Sequence, residues 1–171
     1  QNDLVSAACA TNNHTAGAEA AKKLSQAIED TGKIAIMAHQ GTAQSSIDRV
    51  AGFTEEITNN HPNITIVETI FENDEDTVED LVAGVLEAHP DLAGYFCTNE
   101  SMSNKTLDVL NTAENTTIQI VGFDSGEMQQ NAVTEGREYG MICQNPFGMG
   151  YASMVAAARL SPHLPVDSYI S

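Results

Sequence analysis

The chain has 171 residues, 42% hydrophobic and 18% charged, which is the composition of a folded domain with a sizeable core. Seven Lys and Arg oppose 24 Asp and Glu, and the net charge of −17 makes nucleic acid a poor partner. No apolar run approaches the ~20 residues of a membrane helix. Signatures for a metal, a cofactor or a catalytic centre are absent, so we predict no enzyme and no cofactor. The three cysteines lie in apolar runs without disulfide or zinc spacing, and buried free thiols are expected.

Apolar, β-branched runs alternate with amphipathic helical segments along the whole chain. Strands are predicted at residues 4–10, 33–38, 64–71, 94–98, 118–123, 139–143 and 168–170. Helices are predicted at residues 15–30, 44–60, 77–89, 101–110, 127–135 and 148–160. Alternation at this pitch is typical of βαβ units, so the fold class is α/β, a doubly wound parallel sheet with helices on both faces.

The two ends of the chain are unusual for a complete domain of this class. No linker, repeat or low-complexity tract interrupts residues 1–171, which we interpret as a single ligand-binding lobe. The chain nevertheless opens on a strand and closes on a solitary strand beyond Pro162 and Pro165. Such termini are expected of one lobe of a two-lobed protein, with hinge strands at both ends.

Three predicted strands end at a polar side chain just before a helix begins. These side chains are Asn99, Asp124 and Gln144, and Asn73 follows a fourth strand. Ligands of parallel α/β sheets bind outside the carboxyl ends of the strands, so we expect these residues at one edge. Two amides and a carboxylate suit the hydroxyls of a small polar molecule and include no nucleophile, which favours binding over chemistry. As alternatives, Asn99 and Asp124 could serve only as helix caps, and Gln144 could bridge backbone.

Six segments, in this order and spacing, carry a family resemblance. They are residues 12–21 (NNHTAGAEAA), 41–53 (ending in DRVAGF), 88–92 (AHPDL), 98–102 (TNESM), 121–124 (VGFD) and 144–151 (QNPFGMGY). Through them the chain resembles the periplasmic sugar-binding proteins of ABC transporters, specifically the ribose-binding-like class. The resemblance covers only the second lobe of such proteins and their hinge strands. It implies a Rossmann-like type I periplasmic binding protein lobe, with the N-terminal lobe missing from this chain.

The resemblance also implies a function. Two lobes would close on a small carbohydrate or polyol and deliver it to the membrane permease of an ABC transporter. The protein would be periplasmic or extracellular, with lipid anchoring of the full-length form as one arrangement. Asn99, Asp124 and Gln144 match the polar ligand contacts that the family makes in this lobe and its hinge.

Other positions in these segments match the ligand-contacting residues of the family only in part. Arg49 matches a second, less direct Arg of the family, and Gln44 lies in the same segment, so both are candidate ligand contacts, although a structural role is the simpler interpretation. The sugar-clamping Arg of the family falls at Ile47, and its ring-packing aromatic falls near Asn73. Without a bidentate donor and a stacking platform, the implied ligand is a polyol, modified sugar or other small polar molecule rather than ribose.

Two other functions share this fold. The first is the effector lobe of a lac-repressor-type transcription regulator, which also has the Gly122-Phe123-Asp124 turn. The second is the extracellular sensor domain of a signalling receptor. A signal or lipidation sequence upstream in the gene would favour the transport component, whereas a helix-turn-helix would favour the regulator.

Overall fold

The structure is a computed structural model that describes residues 6–160. These residues form two compact units. One spans Asn13–Cys143, and the described residues of the other are 6–12 and 144–160. None of the helices in the described part of the chain is long and apolar enough to cross a membrane.

The larger unit alternates helices and parallel strands. Its helices are α1 (Asn13–Ala27), α2 (Gln44–Asn60), α3 (Val78–Ala88), α4 (Glu100–Thr112) and α5 (Glu127–Thr134). Its strands are β1 (Gly32–Ala38), β2 (Ile64–Phe71), β3 (Leu92–Cys97), β4 (Gln119–Phe123) and β5 (Gly140–Ile142). The other unit contains α6 (Pro146–Leu160).

The five strands form one parallel sheet in the order β2-β1-β3-β4-β5. Its near-continuous apolar strands bury side chains on both faces, as expected of a sheet covered by helices on each side. On one face, residues of α1 and α2 form a cluster in which Phe53 stacks on Phe96 with ring centroids 4.4 Å apart. On the other face, residues of α3, α4 and α5 pack around the buried Tyr95. The predicted doubly wound α/β fold is therefore confirmed.

Helices α1 and α2 approach so closely that their backbones touch. A Cβ atom on Gly52 would lie 1.9 Å from the carbonyl oxygen of His14, and one on Gly17 would lie 2.1 Å from that of Arg49. Only glycine fits at these two crossings. The contact fixes the first turns of α2, and hence the backbone of Arg49, against the start of α1.

The strand predicted at residues 4–10 is wrong over the residues that the structure describes. Residues 6–12 hold neither strand nor helix, and residues 6–10 are exposed. An apolar run becomes a strand only beside a neighbouring strand, and this run has none among residues 6–160. Residues 4–5 and the strand predicted at 168–170 lie outside the described residues, and the single-lobe interpretation of residues 1–171 stays a prediction.

Two smaller differences have local causes. Helix α1 ends at Ala27 rather than near residue 30, since Glu29 and Asp30 take left-handed backbone angles with φ of 54° and 57°. The prediction of buried thiols is right for Cys97 and wrong for Cys9 and Cys143, which are exposed. Both exposed cysteines lie in irregular backbone, where an apolar run does not imply burial.

Candidate functional site

The strand order predicts a ligand crevice at the carboxyl ends of β1 and β3. In a sheet of order 2-1-3-4-5 the connections leave β1 and β3 toward opposite faces, and ligands bind at this switch point. Only Thr98 separates Asn99 from the end of β3. Asp124 directly follows β4, which is the neighbour of β3 in the sheet. Both residues therefore lie at the edge where the sequence predicts a binding site.

Asn99 is the N-cap of α4. Its backbone is extended, with φ of −155° and ψ of 175°, and its Oδ1 accepts a hydrogen bond of 2.9 Å from the backbone N–H of Met102. This bond satisfies one of the N–H groups left without a partner at the start of the helix. The cap uses only the oxygen of the amide, and its NH2 group is a separate pair of donors. Capping and ligand contact are thus compatible at this residue.

Asp124 is held in a left-handed backbone conformation, with φ of 76°. Its N–H donates to the carbonyl of Ile142 at 2.9 Å, and its Oδ2 accepts from the N–H of Glu100 at 3.3 Å. The carboxylate thus reaches the residue that follows Asn99, and the structure brings these two predicted residues together. A left-handed non-glycine residue is uncommon, and such positions concentrate at functional sites.

Gln144 belongs to the other unit. Its Oε1 accepts a hydrogen bond of 2.8 Å from the hydroxyl of Thr11, which also approaches the Met149 sulfur at 3.7 Å. Gln144 therefore links the two chain segments that make up this unit. That Gln144 joins Asn99 and Asp124 around one ligand stays a prediction.

Arg49 is buried at the carboxyl ends of β3 and β4, with 4% of its surface exposed. Its Nε donates to Oδ1 of Asn13 at 2.9 Å, and its Nη1 donates to the carbonyl of Thr98 at 2.6 Å. The guanidinium carbon lies 3.6 Å from the centre of the Phe123 ring, a cation–π contact. Burial lowers the pKa of Arg49, and the charge of Asp124 opposes that shift.

The other sequence candidates lie on the surface of the same edge. Gln44 donates to Oδ1 of Asp48 at 2.7 Å within the first turn of α2. Asn73 closes an Asx turn after β2, where its Oδ1 accepts from the N–H groups of Glu75 and Asp76, each at 2.8 Å. Both residues are exposed; the bond of Gln44 stays within α2, and the bonds of Asn73 stay within the loop after β2.

Sequence reasoning missed His39 and Thr98, which lie at the ends of β1 and β3. Thr98 Oγ1 accepts from the His39 backbone N–H at 3.0 Å and lies 2.8 Å from its Nδ1, while Nε2 lies 3.3 Å from Oγ of Ser45. The Ser46 hydroxyl donates to the His39 carbonyl at 2.6 Å, which ties the start of α2 to the end of β1. The available signal was His39 itself, the first residue after a predicted strand.

The charge state of His39 follows from its surroundings. Burial, and then the positive charge of Arg49, lower the pKa of the imidazole below its usual 6.5, against smaller opposing contributions from Glu72 and Asp124. The ring is therefore neutral at neutral pH. A neutral ring can accept the Thr98 hydroxyl proton at Nδ1 and donate from Nε2 to Ser45.

Residues 1–162 match the family of the periplasmic binding protein domain. The fold is that of a parallel α/β domain, and this chain belongs to the periplasmic binding protein domain family.

Three relatives illustrate the relationship. The chain is 30% identical over 80 residues to the ribose import binding protein RbsB of Escherichia coli (strain K12), an alignment that covers 47% of this chain and 27% of that protein. An ABC transporter solute binding protein from Agrobacterium vitis, solved with bound D-fucose, is 31% identical with a TM-score of 0.81 over 88% of this chain and 52% of that one. The periplasmic component of an ABC-type sugar transport system from Hahella chejuensis is 25% identical, with a TM-score of 0.85 over 93% and 59% of the two chains. This chain thus spans little more than half the length of the solved proteins that it matches.

Proposed function

We propose that this chain is one lobe of the substrate-binding component of an ABC importer, and that it binds a small carbohydrate or related polyol. The observation that carries the proposal is the pairing of Asn99 and Asp124 at the carboxyl edge of the sheet. Oδ2 of Asp124 accepts from the N–H of Glu100, and Oδ1 of Asn99 caps the same helix. The two ligand groups are thereby held by one helix start.

The chemistry of these groups suits vicinal hydroxyls. A carboxylate accepts hydrogen bonds through two oxygens, and such charge-assisted bonds are roughly twice as strong as neutral ones. The amide NH2 of Asn99 supplies donors to a hydroxyl oxygen. We expect no catalytic turnover, since these groups include no activated nucleophile and the matched relatives are described as binding proteins.

The relatives support a sugar as the ligand class. One is named for ribose import, and another was solved with D-fucose bound. In this chain the first turn of α2 presents Ile47, which is 40% exposed, where the family resemblance expects a clamping Arg. Together with Asn73 in place of an aromatic, this favours a neutral sugar or polyol other than ribose. We further propose Gln144 as a contact contributed from the hinge.

We propose that a first lobe completes the site and that a permease receives the ligand. Helix α6 has no buried side chain and exposes four large apolar residues, namely Phe147, Tyr151, Met154 and Leu160. Exposed apolar side chains grouped on one helix favour a covering partner, and this chain spans only 52% and 59% of two solved relatives. The complete protein would act outside the cytoplasmic membrane, as its family description implies, either free or through a lipid anchor.

Thermal unfolding of the full-length protein against a ligand panel tests this proposal. The panel contains D-fucose, D-ribose, D-arabinose, several polyols and, as an unrelated class, amino acids. A ligand at about 100 times its Kd stabilises the protein by about 2.7 kcal/mol, which raises Tm by several degrees. We expect at least one neutral sugar or polyol to do so. If only amino acids raise Tm, or if nothing in the panel does, the proposal is wrong.

A further inference from the structure

Polar side chains from three segments converge on Gly122, near the end of β4. A Cβ atom on Gly122 would lie within 2.6 Å of Oε1 of Glu138, Oγ of Ser103 and Nε2 of Gln129. Ser103 belongs to α4, Gln129 to α5 and Glu138 to the loop between α5 and β5. All three side chains are buried, with at most 1% of their surface exposed. The missing side chain at Gly122 thus leaves room for a polar cluster beside the apolar core.

This cluster contains too few donors for an ionised carboxylate. Nε2 of Gln129 donates to Oε1 of Glu138 at 3.2 Å, whereas Oε2 of Glu138 and Oε1 of Gln129 have no hydrogen-bond partner within residues 6–160. The Ser103 hydroxyl is already engaged, since it donates to the Asn99 carbonyl at 3.0 Å. A proton on Glu138 would turn one of the two unpartnered acceptors into a donor. The hydrogen-bond inventory therefore favours a neutral Glu138.

The charged side chains of the surrounding elements, in the part of the chain that the structure describes, are paired with one another or exposed. Lys105 of α4 pairs with Glu79 of α3 at 4.0 Å, and Arg137, the chain neighbour of Glu138, pairs with Glu135 at 2.6 Å. The other acidic residues of α4 and α5 are at least partly exposed, namely Glu100, Asp108 and Glu127. These elements therefore place their charges away from the buried carboxyl group.

The groups in contact with Glu138 agree with a neutral carboxyl. Burial raises the pKa of Glu138 to about 7, while hydrogen bonds from Gln129 and the Gly122 backbone oppose this shift. On the sheet side lies the Cys97 thiol of β3, whose pKa is raised by burial and further by the charge of Glu138. None of these three neighbours carries a positive charge. An ionised Glu138 would thus be a buried charge without a counter-ion, which is costly.

The cluster lies under the shortest elements of the larger unit. Strand β5 is an edge strand of three residues, none of them fully buried. Helix α5 has eight residues and buries only Gln129 and Ala132. Short elements with few buried contacts open at a lower free energy than central strands do. Glu138 and Gln129 therefore supply a large share of the buried surface that attaches this segment to the sheet.

We propose that Glu138 is a buried proton-binding site that controls the attachment of α5 and β5 to the sheet, so that residues 127–142 stay packed with the proton bound and open as a local unit without it. This inference goes beyond the proposed function and does not depend on which ligand the chain binds. The open segment exposes Glu138 to water, where its pKa returns to the reference of 4.5. Because the packed form has the higher pKa, its stability is complete below pH 4.5 and is lost as the pH rises through about 7.

Native-state hydrogen exchange of the ligand-free, full-length protein, followed by NMR, tests this role. Opening constants of the α5 and β5 amides are obtained at pH 5.5 and pH 7.5, after division by the intrinsic exchange rates. The two pKa values give a rise of about twentyfold in the wild type. We expect a rise of less than about threefold in Glu138→Gln, which cannot ionise. Glu127→Gln is the control on the same helix and should behave as the wild type does, since Glu127 is exposed. Wild-type opening constants that do not change with pH, or the same rise in Glu138→Gln, would overturn the inference.

The same data separate local opening from unfolding of the whole unit. We expect the α5 and β5 amides to exchange at least about tenfold faster than those of β1 and β3, and to respond less to low concentrations of urea. Equal opening constants in all four elements would show that the segment opens only with the rest of the sheet, and the local role would be wrong. Should Glu138→Gln not fold, Glu138→Met also removes the titrating group, and the same flat pH profile is expected.

Discussion

Glu138 is a buried carboxyl group whose replacement by Gln tests the packing behind β4. It is 1% exposed, and its Oε1 accepts from Nε2 of Gln129 at 3.2 Å. Among the described residues, its Oε2 and the Oε1 of Gln129 have no hydrogen-bond partner. Burial raises the pKa of Glu138 to about 7. A protonated Glu138 can donate from Oε2 to Gln129, which would satisfy both atoms through a reciprocal acid–amide pair.

The size of the effect follows from the pKa difference. The pKa of Glu138 is about 7 in the folded chain against a reference of 4.5, so ionising the buried group costs the native state about 3 kcal/mol. Because the folded pKa is the higher one, the stabilisation is complete below pH 4.5 and is lost as the pH rises through about 7. Gln cannot ionise, and its amide can donate to Gln129 Oε1 at any pH. Glu138→Gln is therefore expected to match the wild type near pH 4.5 and to exceed it by up to about 3 kcal/mol at pH 8.

Urea unfolding of both proteins between pH 4.5 and 8.5 measures this difference. Subtracting the two free energies of unfolding at each pH removes the contribution of every other titrating group. Glu87→Gln on the exposed face of α3 is the control and should give a difference near zero throughout. A difference for Glu138→Gln that does not change with pH, or that makes the variant less stable at pH 8, would refute the reasoning.

Three further outcomes are expected. Gly52→Ala should lower the free energy of unfolding by about 1–3 kcal/mol, because its Cβ would lie 1.9 Å from the His14 carbonyl oxygen. Gly84→Ala is the control and should be neutral or stabilising, since a Cβ there has nothing within 4 Å. Equal effects of the two substitutions in urea unfolding would contradict the α1–α2 contact. Burial raises the pKa of the Cys97 thiol to about 12. A thiol reagent at pH 8 should therefore label Cys9 and Cys143 in the native chain, and Cys97 only after denaturation. Fast labelling of all three cysteines would disprove the burial of Cys97. With a net charge of −17, the chain should gain Tm as NaCl is raised from 0.1 to 1 M, and a constant or falling Tm would show that surface repulsion is unimportant.

The sequence predicts most of the fold because strand-forming and helix-forming segments alternate in it, and because the buried residues are apolar and regularly spaced. Strand β2 and helix α2 have the predicted bounds, and the other elements of the sheet unit lie within a few residues of theirs. Residues 6–10, the described part of a predicted strand, are irregular. An apolar, alternating run records what a segment can bury, and whether a neighbouring strand is present depends on the rest of the fold.

The candidate site is predictable only in part, for a related reason. Asn99 follows β3 after one intervening residue and Asp124 follows β4 directly, so their edge of the sheet follows from alternation alone. The burial of Arg49 depends on β1 lying beside β3 and on the close approach of α1 to α2, and neither can be inferred from residue types along the chain. The burial of Glu138 is even harder to predict from the sequence. A charged residue between a helix and a short strand is expected at the surface, but Glu138 is buried against Gly122 and Gln129.

The central claim is that a neutral sugar or polyol binds at Asp124, and calorimetry of the full-length protein tests it most directly. The measurement compares the wild type, Asp124→Asn and, as a control, Asp108→Asn on the exposed side of α4. Loss of one charge-assisted hydrogen bond corresponds to about 1.5–3 kcal/mol, or roughly a 10- to 150-fold weaker Kd. We predict that loss for Asp124→Asn and wild-type affinity for Asp108→Asn. Equal sugar affinity in all three proteins would contradict the proposed site.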